Sequence, residues 1–122
     1  MQTAGEDILV DMLLIRPRVE YRRDKMLLCS PRARYGHTHA SSTDADGFAM
    51  HVRFTDFLIL SEDLPPGFTP KVGDIISAGG NSYLVSALDG EPCWLHHTRQ
   101  SSRIIRVHTR LASDTLILEP KP

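Results

Sequence analysis

Residues 71–110, KVGDIISAGGNSYLVSALDGEPCWLHHTRQSSRIIRVHTR, decide how this chain folds. Two apolar, β-branched runs, Asp74–Ala78 and Ser82–Leu88, flank Gly79, Gly80 and Asn81. Glycine-containing turns of this length supply the positive φ angles that a tight hairpin needs. The stretch therefore predicts a β-hairpin.

A further strand is predicted over Arg103–Leu111, because its side chains alternate in character with a period of two. The apolar or β-branched side chains are Ile105, Val107 and Thr109, and the basic ones between them are Arg106, His108 and Arg110. We expect one face of this strand to be buried and the other to be basic.

Three more β segments are predicted outside this stretch. RVEYRR and MLLCS, around Asp24-Lys25, predict a second hairpin, and the run Phe48–Leu60 is long enough for an extended strand. The long run loses its alternation near Asp56, which indicates a bulge there or burial on both faces. TLILEP, at 115–120, predicts a short edge strand.

The N-terminal residues predict a short helix. Glu6 and Asp7 precede the apolar run Ile8–Ile15, so they would lie in the first turn, where acids suit the helix dipole, and Pro17 would end the helix. The run is apolar nearly all round, so a buried strand is the alternative.

The segment GHTHASSTDADG, Gly36–Gly47, has no large apolar side chain that could anchor it to a core. We expect it to be a long mobile loop. Together these segments predict an all-β fold, a small barrel or sandwich of about six or seven strands. We expect one domain over residues 1–122, with an N-terminal arm or helix (1–16), the mobile loop (36–47) and a C-terminal tail (112–122).

Composition fits a globular protein, with 41% hydrophobic and 24% charged residues and a net charge of -1. No apolar run approaches the roughly 20 residues of a membrane span, and no signal peptide is recognisable. We therefore expect a protein made in a cytoplasm, without a membrane partner. Cys29 and Cys93 lie far apart in the sequence, and we expect reduced thiols.

Positive charge is concentrated in residues 16–34, which hold seven basic residues against two acidic ones. Four further arginines and no acid lie between Arg99 and Arg110. Clustered arginine can bind phosphate, but a solvated face, or a rim that pairs with acids of a neighbouring subunit, is the more common reason for it.

No constellation of residues predicts an enzyme, a cofactor or a metal. A zinc site built from His37, His39, Cys93 and one of His96 and His97 is chemically conceivable, but the spacing matches no compact zinc pattern. No nucleophile with its base, no carboxylate pair and no phosphate-binding glycine loop is evident. Trp94 is either a core residue or an interface anchor.

The span Phe54–Arg110 resembles the small head-tail joining proteins of tailed bacteriophages, also called head-closure or stopper proteins. The resemblance rests on the order of six short motifs: DFLI (56–59), the DL turn (63–64), P-x-x-GD-x-I (70–76), G-x-x-Y-x-V (80–85), GEP-x-W (90–94) and R-[IV]-H-T (106–109).

The resemblance implies a structural virion protein that forms a homo-oligomeric ring in the neck between head and tail. Its partners would be the portal or adaptor and the tail proteins, with the packaged double-stranded DNA passing through or near the ring. We expect interface contacts from Arg16, Arg18, Arg22, Arg23, Trp94, Arg103 and Arg106. We expect the 36–47 loop to reach the channel or a neighbour through His37, His39, Ser41, Ser42, Asp44 and Asp46.

Two alternatives remain open from the sequence. A small OB or SH3-like barrel could bind nucleic acid through its arginine-rich strands, although only 7% of the residues are aromatic. A small metal-dependent enzyme that uses the histidines is the other.

Overall fold

The computed structural model describes residues 4–43, 47, 49–87, 90–98 and 101–112. Within them the chain forms one α-helix, one short 3-10 turn and eight strands. In chain order these are α1 (Ala4–Leu14), β1 (Glu20–Arg23), β2 (Met26–Cys29), β3 (Ala33–Thr43), β4 (Ala49–Leu60), the 3-10 turn (Ser61–Asp63), β5 (Ile75–Ala78), β6 (Asn81–Val85), β7 (Trp94–Thr98) and β8 (Ser101–Leu111). The all-β prediction with a short N-terminal helix is confirmed.

Helix α1 lies against the outer face of β4 and β8. Val10 and Leu13 are buried, and they pack against Leu60 and Ile104. The opposite side of the helix remains apolar and open, since Ile8 is 61% exposed. The apolar run is therefore a helix with one buried face, and its second apolar face is available for contact.

Both predicted hairpins are present, and the backbone angles explain why. At the β1–β2 turn Asp24 and Lys25 have φ angles of 51° and 67°. At the β5–β6 turn Gly79 and Gly80 have φ angles of 58° and 83°. Two successive left-handed residues match the twist of the flanking strands, which fixes a two-residue connection. Asn81 belongs to β6 and not to the turn.

The prediction of a loop over 36–47 is wrong for residues 36–43. They lie in β3, which pairs with β4 without a register shift from Ala33↔Ile59 to Thr43↔Ala49. Small polar residues cannot anchor to a core, but a two-stranded ribbon needs only backbone hydrogen bonds between its strands, which any non-proline residue supplies. Asp44 and Asp46 lie outside the described residues.

The strand predicted from Phe48 is present as β4, and its loss of alternation reflects burial on both faces. Phe57 and Ile59 face the main core, while Leu60 packs under α1. The unbroken β3–β4 register excludes a bulge near Asp56. Strand β7 was not predicted, so the described residues hold more strands than expected; the strand predicted at 115–120 lies outside them, as does most of the predicted C-terminal tail.

The strands form one antiparallel sheet in the order β2-β1-β5-β6-β8-β4-β3, and β7 also pairs with β8. The sheet is not closed into a barrel, so of the two predicted forms, barrel and sandwich, the sandwich fits roughly. An isolated bridge, Arg18↔Arg32, joins the residue positions just before β1 and just before β3. The concave side encloses the main core, which includes Tyr21, Phe57, Ile76 and Val107.

Candidate functional site

Three aspartates are the main polar groups inside this fold, and each is held by arginine. Asp56, Asp63 and Asp74 have side chains only 7%, 8% and 3% exposed. A buried carboxylate is costly unless it is paired and hydrogen-bonded. Each of these aspartates joins segments that are far apart in the sequence.

Asp74, at the entry to β5, receives the largest set of hydrogen bonds. Arg23 donates to both carboxylate oxygens, from Nε at 2.9 Å and from Nη2 at 2.8 Å. The Tyr21 hydroxyl and the backbone N–H of Lys71, the latter at 2.9 Å, donate to Oδ2. The guanidinium of Arg23 also lies over the ring of Phe68, 5.4 Å from its centroid. This cluster ties the first hairpin to the second.

The electrostatics of this cluster follow from its hydrogen bonds. Burial alone would raise the pKa of Asp74, but the hydrogen bonds from Arg23, Tyr21 and Lys71 outweigh burial and lower it. Burial and the neighbouring carboxylate raise the pKa of Tyr21 far above its usual value. Tyr21 therefore stays protonated, and its hydroxyl donates a hydrogen bond to Asp74.

Asp63, in the short 3-10 turn, is bound by Arg32 in the same way. The backbone N–H and Nε of Arg32 donate to Oδ2, both at 3.0 Å, and Nη2 donates to Oδ1 at 2.8 Å. The side-chain hydrogen bonds from Arg32 lower the pKa of Asp63. This contact fixes the start of β3 against the end of β4.

Asp56 organises a polar patch on the outer face of β4 and β8. Arg106 Nη1 donates to its Oδ2 at 3.0 Å, and His108 Nδ1 lies 2.8 Å from its Oδ1. His108 was predicted on an exposed basic face, but it is buried. Its Nε2 lies 3.5 Å from Glu91 Oε2. The basic face of β8 is therefore largely engaged within the chain.

The predicted interface residues differ in their surroundings. Besides Arg23 and Arg106, two more form ion pairs inside the chain: Arg22 with Glu20 at 2.9 Å and Arg103 with Glu62 at 3.2 Å. Trp94 is half-buried against the main core. Arg16 and Arg18 are exposed. An interface role stays a prediction for all seven.

The predicted channel residues lie mostly in β3. His37 is exposed, and its Nδ1 is 3.1 Å from Thr55 Oγ1. His39, Ser41 and Ser42 follow on the same strand, in the part that pairs with residues 50–53 of β4. β4 pairs with β8 only from Thr55 onward. Residues 38–43 and 49–54 therefore form a ribbon that extends beyond the pairing of β4 with β8.

The described residues contain no group of three or more His, Cys, Asp or Glu side chains placed to hold a metal ion. Cys93 is buried, its Sγ 3.7 Å from the Pro70 carbonyl oxygen, and burial raises the pKa of its thiol. Burial likewise raises the pKa of Cys29. Both thiols are free. In the described part of the chain, no helix has the length and apolar character needed to cross a membrane.

Comparison with known families identifies the family. The model of the phage head-tail joining protein family matches residues 10–115, from α1 to just past β8. The chain belongs to this family. Comparison with curated proteins and with solved structures gave no match.

The family places this head-tail joining protein in the virion, at the junction of head and tail. It is a structural protein of the phage neck, and it interacts with other head and tail proteins. The motifs that carry the sequence resemblance hold the buried aspartates: Asp56 opens DFLI, Asp63 the DL turn, and Asp74 follows the glycine of P-x-x-GD-x-I. These three motifs therefore supply the buried aspartates whose contacts hold the fold together.

Proposed function

We propose that this protein is the repeating subunit of a homo-oligomeric ring in the neck, which joins the portal or adaptor to the tail and helps retain the packaged DNA. It would be synthesised in the host cytoplasm and added to the head during assembly. The observation that carries the proposal is the family match over residues 10–115, on a sheet with open edges.

Open edges and exposed apolar side chains support assembly with other chains. β2 and β3 are the two ends of the sheet order. On β2, Met26 and Leu27 are 66% and 48% exposed, and Ile15, after α1, is 84% exposed. An unpaired strand edge is a ready template for pairing with another chain. Different patches that meet head to tail close into a ring when the rotation between subunits permits.

The β3–β4 ribbon supports a role in DNA retention. It extends beyond the pairing of β4 with β8, so among the described residues each strand of its far end pairs only with the other. A projecting ribbon on every subunit of a ring would line or narrow the channel. The ribbon thus replaces the predicted loop as the candidate channel element.

Ring formation is tested by electron microscopy of the purified protein, alone and with portal and tail partners, together with its mass in solution. Rings or a bound collar are expected. Leu27→Lys should weaken them, while Val72→Lys, at an exposed apolar residue in a turn, serves as the matched control. A monomer that binds no virion partner would contradict the proposal.

DNA retention is tested separately, by replacing residues 41–51 with a two-residue turn in the assembling phage. We expect filled heads whose DNA becomes sensitive to nuclease after packaging. If the DNA of such particles stays protected, the ribbon does not retain it.

A further inference from the structure

The sheet stops short of closing along one seam. The Arg18↔Arg32 bridge, with a hydrogen bond of 2.8 Å from Val19 N to Pro31 O, joins the residues just before β1 to those just before β3. Beyond them β3 pairs with β4 along one edge. No strand among the described residues pairs with the other edge of β3. That edge starts at Ala33 and borders the seam.

A cleft of about 360 Å³ occupies this seam. Its floor is apolar and includes Val19, Ala33 and Ala78, all buried. The side chain of Tyr35 stands at its edge, stacked on Phe57 with ring centroids 4.9 Å apart. The cleft therefore has room for a few apolar side chains next to an unpaired strand edge.

Three arginines border the cleft, and no acidic residue lines it. Arg16, Arg18 and Arg34 are all exposed. Within the described residues none of the three pairs with a carboxylate, and Arg18 makes its one hydrogen bond to the carbonyl oxygen of Ser30, at 2.7 Å. These guanidinium groups remain available to an external anion.

We propose that this cleft binds an extended, acidic peptide segment of a neighbouring neck protein. The backbone of the segment would pair with the free edge of β3 from Ala33 onward. Its apolar side chains would cover Val19 and Ala78, and its carboxylates would meet Arg16 and Arg34. Strand addition of this kind takes affinity from the main chain and specificity from the side chains.

A peptide suits the cleft better than a nucleic acid. A nucleic acid strand needs a basic track along its backbone and free aromatic faces on which bases stack. Here the three cations surround an apolar floor, and the cleft's aromatic side chain, Tyr35, already stacks on Phe57. The net charge of -1 adds no general attraction to DNA.

The test is a titration of the isotope-labelled full-length protein, followed by NMR. The probe is a ten-residue peptide of alternating valine and glutamate, and valine–lysine and oligothymidylate probes are compared with it. We expect the acidic peptide to shift the amide signals of Ala33–Tyr35 and Gly79. Arg34→Glu and Arg16→Glu should each weaken binding at least about tenfold. Arg22→Glu, with the same change in charge on a residue paired to Glu20, should change it less than about twofold.

Equal binding of the valine–lysine peptide, equal loss in Arg22→Glu, or binding of the oligonucleotide alone would overturn the proposal. Arg34→Gln provides a second variant, in case charge reversal disturbs folding. The inference rests on the proposed neck role, but the two fail differently. Failed peptide binding by a protein that still assembles into the neck overturns only the cleft, whereas heads and tails that join without the protein overturn the neck role.

Discussion

Arginines from the same basic segment, residues 16–34, behave in two ways in this protein. Arg23 and Arg32 each form an ion pair with a buried carboxylate, and these pairs hold the fold together. Arg16 and Arg34 stay exposed around a cleft without acids. The basic residues of one sequence segment therefore do not form a single charged surface. What separates the two groups is whether an aspartate from a distant strand reaches the guanidinium.

Removing Asp74, the buried partner of Arg23, should cause the largest loss of stability. Asp74→Ala leaves Arg23 and the Tyr21 hydroxyl without their acceptor, so we expect the free energy of unfolding to fall by about 3–5 kcal/mol. Denaturation by urea measures it, with the exposed Asp11 of α1, changed to alanine, as control. A loss below about 1 kcal/mol would show that the cluster does not hold the hairpins together.

The sharpest comparison changes one arginine from each group in the same way. Arg23→Gln should cost about 2–3 kcal/mol of unfolding free energy, because Asp74 stays buried with its charge only partly compensated. Arg34→Gln should change it by less than about 0.5 kcal/mol, as is usual for an exposed side chain without partners. The unfolding free energy is measured by urea denaturation. Equal losses in the two variants would contradict the distinction between paired and exposed arginines.

Lowering the pH should weaken the ion pairs that Arg23 and Arg32 form with Asp74 and Asp63. The pKa values of Asp63 and Asp74 are lowered in the folded protein, so the folded state binds fewer protons than the unfolded state as pH falls. Their contribution is complete above roughly pH 5 and is lost as the pH falls through the lowered pKa values, with a slope of at most about 1.4 kcal/mol per pH unit for each proton.

This slope is measured as the free energy of unfolding between about pH 2 and 6. Asp63→Asn should make the slope shallower than that of the wild-type protein. An unchanged slope in Asp63→Asn would contradict the lowered pKa of that carboxyl group.

A smaller effect is expected from removing a single hydrogen bond, the one from Tyr21 to Asp74. Tyr21→Phe keeps the ring, which packs edge-on against Phe68 with centroids 5.0 Å apart, and removes the hydroxyl that donates to Asp74. We expect a loss of about 1 kcal/mol in unfolding free energy. Phe68→Leu removes the ring contact and keeps the hydroxyl, so the two variants separate packing from hydrogen bonding. No loss in Tyr21→Phe would mean that Arg23 and the Lys71 N–H satisfy Asp74 without the hydroxyl.

Turns and alternation made the hairpins predictable. Asp24, Gly79 and Gly80 are of residue types that favour the left-handed conformation, and β8 shows its buried face in its period. β3 was missed because its strand is formed by backbone pairing with β4 and needs no apolar pattern. β7 was missed because its short run, WLHHT, has no alternation, and its position depends on pairing with β8.

The roles of the arginines could not be predicted, because they depend on contacts across the sheet. Asp74 lies 51 positions from Arg23, and Asp63 lies 31 from Arg32. Nothing local marks either pair. A usable signal was the family resemblance, since its motifs contain these aspartates, but a motif alone does not name the arginine that binds each one. The open cleft is bordered by three arginines that form no ion pair with a carboxylate among the described residues.

The most direct test of the neck role is electron microscopy of lysates from the parent phage with this protein removed. The neck role predicts separate heads and tails, and the wild-type protein supplied in trans should restore tailed particles. Tailed, infectious particles at the normal yield in the absence of the protein would contradict it.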